Sequence, residues 1–144
     1  MLERFAMIKI TKESSVSIDD VLHLYQAVGW TNYTNQSQML EQALSHSLAT
    51  YLARDGEEIV GLVRLVGDGF SSVFVQDLIV LPSYQRQGIG SNLMKEALAD
   101  YKDAYQIQLA TEQTEKTLGF YRSLGFETLS TYDCTGMIRV DRKK

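Results

Sequence analysis

One cysteine in 144 residues, Cys134, leaves no partner for an internal disulfide and excludes metal clusters of the Cys-x-x-Cys kind. Histidine is almost as scarce. His23 and His46 fall on separate amphipathic segments, far apart in sequence, and neither is assigned a role. Basic charge is also limited: 14 Lys and Arg stand against 18 Asp and Glu, a formal net charge of −4. That balance argues against a nucleic-acid binder, which needs a basic face. Arg139, Arg142, Lys143 and Lys144 end the chain, a stretch too short to read as a binding arm. No apolar run approaches the ~20 residues needed to cross a bilayer. The first residues, MLERFAMIKI, carry an acid and a base but no long apolar stretch, so they do not read as a signal peptide. A cytoplasmic, reducing location is expected, with no membrane and no nucleic-acid partner. There is no repeat and no linker rich in proline or glycine, so a single domain over residues 1–144 is expected.

What remains is an apolar fraction of 44% and a charged fraction of 22%, the composition of an ordinary globular domain. The alternation in RFAMIKIT suggests a first strand. SIDDVLHLYQAVGW reads as a helix, with Ser17 as N-cap, Asp19 and Asp20 in the first turn, one apolar face of Val21, Leu24, Tyr25 and Val28, and Gly29 as the stop. NQSQMLEQALSHS is a second amphipathic helix. Asp55-Gly56 and Asp68-Gly69 are turn signals between β-rich runs, giving three antiparallel strands at about 48–54, 58–67 and 71–80. A helix over 90–101, a short strand in YQIQLATE and a helix in EKTLGFYRSLG follow. FETLSTY and GMIRV are expected to pair as two final strands. The order β-α-α-β-β-β-α-β-α-β-β is an α+β domain with a mixed, mostly antiparallel central sheet flanked by helices.

The junction LPSYQRQGIGSNLM, residues 81–94, places two of the chain's ten glycines two residues apart. Pro82 ends the strand before it, because proline has no N–H for a ladder. The helix that opens at Gly90 has unpaired N–H groups and the positive end of its dipole at this point. Glycines let the backbone curl and a bulky anion come close, so the loop is a candidate phosphate cradle. A plain helix start with small residues is the alternative. The P-loop pattern fails, because Ser91 and Asn92 stand where Lys-Ser/Thr is needed. The dinucleotide fingerprint fails too, because Leu93 stands where its third glycine belongs.

The longer pattern Gln85-x-x-Gly88-x-Gly90 resembles the Gln/Arg-x-x-Gly-x-Gly/Ala loop of the GNAT superfamily of acyl-CoA N-acyltransferases. GFYRSLGF, residues 119–126, resembles a second signature of that family, and the element order is similar over nearly the whole chain. The resemblance implies that amides of Gln85, Arg86, Gln87, Gly88, Ile89, Gly90 and Ser91 hold the coenzyme A pyrophosphate. It implies that the edge of the preceding strand at Leu78, Ile79 and Val80 pairs with pantetheine, where the fourth and fifth strands splay apart. Acetyl-CoA is the implied cosubstrate, with no metal. One family position departs: Thr114 stands where many members carry an asparagine. A homodimer formed through the C-terminal hairpins is common in the family.

Amide formation from a thioester needs a neutral amine, a stabilised oxyanion and a proton for the leaving thiolate. Tyr121 matches the family's general acid; an amphipathic core tyrosine is the alternative. Asp77 is an acid in the apolar strand VFVQDLIVL. It is read either as a base or anchor for the amine, or as the ion-pair partner of a base on the neighbouring strand such as Arg64. Trp30 and Tyr33, in GWTNYTN, are expected to line an acceptor pocket suited to an aryl or alkyl amine, or else to cap the core. Cys134 is expected to be inert. The expected activity is acetyl transfer to a primary amine of a small molecule by direct attack in a ternary complex. A coenzyme A-binding sensor or partner-binding module, and a protein lysine or N-terminal acetyltransferase, are the alternatives.

Overall fold

Ser17 sets the first helix as the sequence suggests. In the computed structural model, which describes residues 7–141, its hydroxyl accepts from the Asp19 N–H at 3.2 Å. Strand β1 (Ile8–Glu13) precedes it; Arg4, Phe5 and Ala6, the start of the expected strand, lie outside the described residues. Helix α1 (Ile18–Ala27) buries Val21, Leu24 and Tyr25, the i, i+3, i+4 face. The loop expected after it contains a short helix, α2 (Thr31–Thr34), because the Tyr33 and Thr34 N–H groups both bond Trp30 O, at 3.0 and 3.2 Å. Helix α3 (Ser37–Ser45) follows and buries Leu40 and Leu44.

Strands β2 (Ala49–Asp55), β3 (Glu58–Gly67) and β4 (Ser72–Val80) form an antiparallel meander with β1 on one side. Gly56 takes a φ of +61° in the first turn, as the Asp-Gly pair requires. In the second turn the Asp68 carboxylate accepts from the Phe70, Ser71 and Ser72 N–H groups and the Ser71 hydroxyl. Those bonds hold its carboxyl well below the usual range. Helix α4 (Ile89–Asp100) leads to β5 (Gln106–Leu109), which joins the far edge of the sheet parallel to β4. The strand order β1-β2-β3-β4-β5, antiparallel but for the last pair, is the expected mixed sheet.

The sheet is covered on two faces. Leu52, Ile59, Leu62 and Ile79 pack with α1 and α3 in one buried cluster. Their neighbours face the other way: Tyr51 donates to Asp100 of α4 at 2.5 Å, and Gly61 lies beneath Leu93 of α4. A Cβ at Gly61 would stand 3.1 Å from both Ile79 O and Leu93 Cδ1, so the glycine sets how closely α4 approaches. Residues 59–65 of β3, at the centre, are buried on both faces.

The chain divides into two compact units, Met1–Ala110 and Thr111–Lys144. The second holds α5 (Glu115–Ser123), capped by the Thr114 hydroxyl, which accepts from the Thr117 N–H at 3.1 Å. The two strands expected in FETLSTY and GMIRV are absent among the described residues. Leu129–Tyr132 closes instead into a 3-10 turn, with the Asp133 N–H on Ser130 O and the Cys134 N–H on Leu129 O. These local bonds use donors that a ladder would need. The apolar residues Met137, Ile138 and Val140 are left 95%, 88% and 58% exposed. Arg142, Lys143 and Lys144 lie outside the described residues.

Candidate active site

The site is built around β4, which has two irregular edges. Toward β3 the register slips: Arg64 pairs with Asp77 but Leu65 pairs with Val75, so Gln76 is an extra residue in a bulge. Toward β5 the pairing runs only from Ser72↔Gln106 to Val75↔Leu109. From Gln76 to Val80 the outer edge of β4 has no strand beside it among the described residues, and Leu78 and Val80 are half-buried there. Unused backbone groups on such an edge can pair with an extended amide chain.

Just past that edge, a 3-10 turn (Pro82–Tyr84) carries the chain toward α4. The Gln85 side-chain amide donates back to Val80 O at 3.1 Å, tying the loop to the end of β4. Tyr84 donates to Asp55 at 2.7 Å and anchors the turn to β2. Arg86 and Gly88 both take left-handed conformations, φ +66° and +80°. Gly88 caps α4 with no side-chain bond, and the first backbone bond of the helix is from Asn92 N–H to Gly88 O. The Ile89, Gly90 and Ser91 N–H groups therefore open outward without helical partners. A Cβ at Gly88 would meet nothing within 4 Å, so the space in front of the helix is open. Gln85, Arg86, Gln87 and Gly88 are exposed. Open amides, a helix dipole and an exposed guanidinium fit an anionic diphosphate.

Asp77 lies at the opposite extreme of exposure, at 2%. Its Oδ2 accepts from Arg64 Nε at 2.8 Å and from the Tyr25 hydroxyl at 2.8 Å; its Oδ1 accepts from the Tyr33 hydroxyl at 3.0 Å. Arg64, 3% exposed, is the ion-pair partner named as the alternative to a role in proton transfer. Its Nη1 also donates to Ser47 Oγ at 3.2 Å, beyond the end of α3. Burial raises the Tyr25 and Tyr33 phenols above their usual value, and the Asp77 charge adds to the rise. Both stay protonated and act as donors. Tyr25 was legible only as a member of an apolar helix face; the signal was that a buried tyrosine hydroxyl must find an acceptor.

Trp30 and Tyr33 stack beside Tyr25, with ring centroids 6.1 Å and 5.0 Å from it. Both are partly buried against the α1–α3 core cluster, so they cap the core while keeping one side outward. Asp77, the β4 edge, the α4 loop, Trp30 and Tyr33 all belong to the first compact unit. Tyr121 belongs to the second, on α5. There it is half-buried between Phe120 and Phe126, centroids 5.0 and 6.0 Å away. Burial raises its phenol, opposed by a hydrogen bond with Thr111, so it is a protonated donor at neutral pH. Cys134 is exposed. His23 bonds Ile59 O, and His46 bonds Gln42 O, both at 2.8 Å.

A family model described as an acetyltransferase (GNAT) domain matches residues 46–128, more than half of the chain. The chain belongs to the GNAT acetyltransferase family. A solved GNAT-family acetyltransferase from Streptococcus pneumoniae TIGR4 is 74% identical, with a TM-score of 0.88 over 95% of this chain and all of that one. Among curated proteins, rice serotonin N-acetyltransferase 2, chloroplastic, is 33% identical over 63% of this chain and 48% of its own length. Arabidopsis GCN5-related N-acetyltransferase 1, chloroplastic, is 28% identical over 77% and 56%. The chain thus spans about half the length of the curated relatives it matches. GNAT acetyltransferases take their acyl group from acetyl-CoA, and the open α4 amides and the free β4 edge suit its diphosphate and amide chain. In this GNAT chain the family match covers every element from β2 to α5, and so runs across both compact units. No helix among the described residues is long and apolar enough to cross a membrane.

Proposed function

We propose that the protein is an acetyl-CoA-dependent N-acetyltransferase that acts on the primary amine of a small molecule, and that residues 1–144 work as one acetyltransferase domain. The observation that carries this reading is the departure of β5 from β4 after Val75, directly before the uncapped, glycine-opened start of α4. One side of the parted sheet offers backbone groups of Leu78 and Val80 to the amides of pantetheine; the Ile79 carbonyl, expected to take part, is turned toward Gly61 of β3 because backbone groups alternate edges along a strand. The loop from Gln85 to Ser91 faces the diphosphate. With the cosubstrate fixed along β4, the amine approaches from the side of α1 and α2, past Trp30 and Tyr33, and attacks directly. A backbone N–H near Leu78 steadies the oxyanion, and Tyr121 gives its proton to the departing thiolate.

Asp77 is assigned here as a positioning residue. Its two oxygens already take three donors and it is almost wholly enclosed, so the ammonium proton leaves through solvent. The aromatic walls at Trp30 and Tyr33 suit an arylalkylamine, a choice supported by the relative named as a serotonin N-acetyltransferase. The test is thiol release from acetyl-CoA against a panel of serotonin, 2-phenylethylamine, spermidine, kanamycin and a peptide with a free N-terminus. Turnover fastest with the arylalkylamines is expected. Turnover of the peptide alone would replace the small-molecule reading with a protein acetyltransferase. Binding of acetyl-CoA with no turnover of any amine would favour a sensor.

A further inference from the structure

The hydrogen bonds around Asp77 admit one arrangement of protons. Paired with Arg64, Asp77 is a carboxylate and can only accept; Arg64 can only donate. Tyr25 and Tyr33 must therefore each give their single hydroxyl proton to Asp77. Tyr33 then has only lone pairs to offer its other neighbours, Arg64 Nη2 and Gln76 Nε2, each 3.4 Å from its oxygen. Gln76 can meet Tyr33 in one orientation only, with its NH₂ turned toward the phenol. Its carbonyl oxygen, on the other prong of the amide, is left as an acceptor. Among the described residues no protein group donates to that oxygen.

Gln76 occupies a special place on β4. It is the extra residue of the bulge, it is exposed, and it is the first residue beyond the end of pairing with β5. We propose that Gln76 is a specificity-determining residue of the acceptor site: its Oε1 accepts an N–H from the incoming amine, and Tyr33 and Asp77 are positioning residues that fix the amide in that orientation. The proposal rests on the N-acetyltransferase reading above. It gives that reading a selectivity for primary amines over alcohols, since a neutral primary amine keeps one N–H on Oε1 while it loses the other, and a hydroxyl has only one hydrogen to give.

The test uses the full chain and whichever amine of the panel shows the highest kcat/KM. Gln76→Met keeps length and volume and removes the amide, and the residue is exposed, so the fold should not suffer. Loss of one hydrogen bond to the amine should raise its KM about 10-fold, with the KM for acetyl-CoA and the melting temperature unchanged. Tyr33→Phe should also raise the amine KM, by letting the amide turn. Because both variants act through the same contact, the double variant should be no worse in amine KM than Gln76→Met alone. An unchanged amine KM in Gln76→Met, or effects that add in full, would overturn the assignment. A parent protein that acetylates no amine in the panel would remove the N-acetyltransferase reading, and Gln76 with it. A parent that turns over while its variant keeps the same KM would remove only Gln76.

Discussion

Removing the charge from Asp77 leaves Arg64 buried without its counterion, and Tyr25 and Tyr33 with a weaker acceptor. Breaking a buried pair by loss of one partner costs about 3–5 kcal/mol. Asp77→Asn should therefore lower the urea midpoint by a corresponding amount. At a temperature where the variant is still folded, the pH profile of kcat/KM should keep the shape of the parent's. Loss of an ionisation from the acid limb of that profile would instead restore Asp77 as the base. Tyr121 makes the contrasting case. Its ring packs between Phe120 and Phe126, and Tyr121→Phe keeps that packing. Stability and acetyl-CoA affinity should hold while kcat and kcat/KM both fall by about 10²–10⁴-fold, the worth of a placed general acid. Two tyrosines whose phenols burial raises thus serve different ends. In the proposed site Tyr33 holds a neighbour in place, and Tyr121 delivers a proton.

The loop before α4 is the proposed diphosphate site. Gly88 has φ +80° and open space where its Cβ would stand. Asparagine tolerates that conformation better than other residues with a side chain. Gly88→Asn should therefore keep the fold while placing atoms in front of the helix amides, and calorimetry should show weaker acetyl-CoA binding. Unchanged affinity in the folded variant would show that the diphosphate lies elsewhere. Gly61→Ala tests the opposite face: contacts of 3.1 Å to backbone and to Leu93 predict a loss of about 1–3 kcal/mol in chemical denaturation. The elements that carry these positions were readable because each had local punctuation. Asp-Gly turns bounded the strands, Ser17 capped the first helix, and the Gln-x-x-Gly-x-Gly loop marked the start of α4, whereas Thr114, read in the sequence only as a departure from the family's asparagine, caps α5 in the structure. Asp77 could be read as a buried acid with Arg64 as partner, but the β4 bulge at Gln76 could not. A bulge depends on the register between two strands, and the apolar runs on either side of Gln76 and Asp77 carry no mark of where that register slips. The short helix α2 was hidden by threonine and asparagine, poor helix formers whose turn is fixed by bonds to Trp30 O. GMIRV failed as a strand for the complementary reason: its composition suits a ladder, but no neighbouring strand among the described residues receives it.

Across the whole molecule, the pH response follows from buried phenols. Burial raises Tyr25, Tyr33, Tyr51 and Tyr121 above the ordinary value of 10.0. The fold thus favours the neutral phenol. The stability these groups add is fully present below pH 10 and is lost as pH rises through their raised values. Ultraviolet titration should show these four phenols ionising late, together with unfolding. Ionisation of these four near pH 10 in the folded protein would contradict the burial described. The fold and family establish an acetyltransferase domain; the proposed activity is that this domain moves acetyl groups onto small amines. The most direct measurement is thiol release from acetyl-CoA by the full chain with the five-member amine panel, run alongside Tyr121→Phe. Amine-dependent release by the parent is expected, fastest with serotonin or 2-phenylethylamine, with release slowed at least about 100-fold in the variant while both proteins bind acetyl-CoA equally. Tight acetyl-CoA binding with no amine-dependent release from the parent would contradict it.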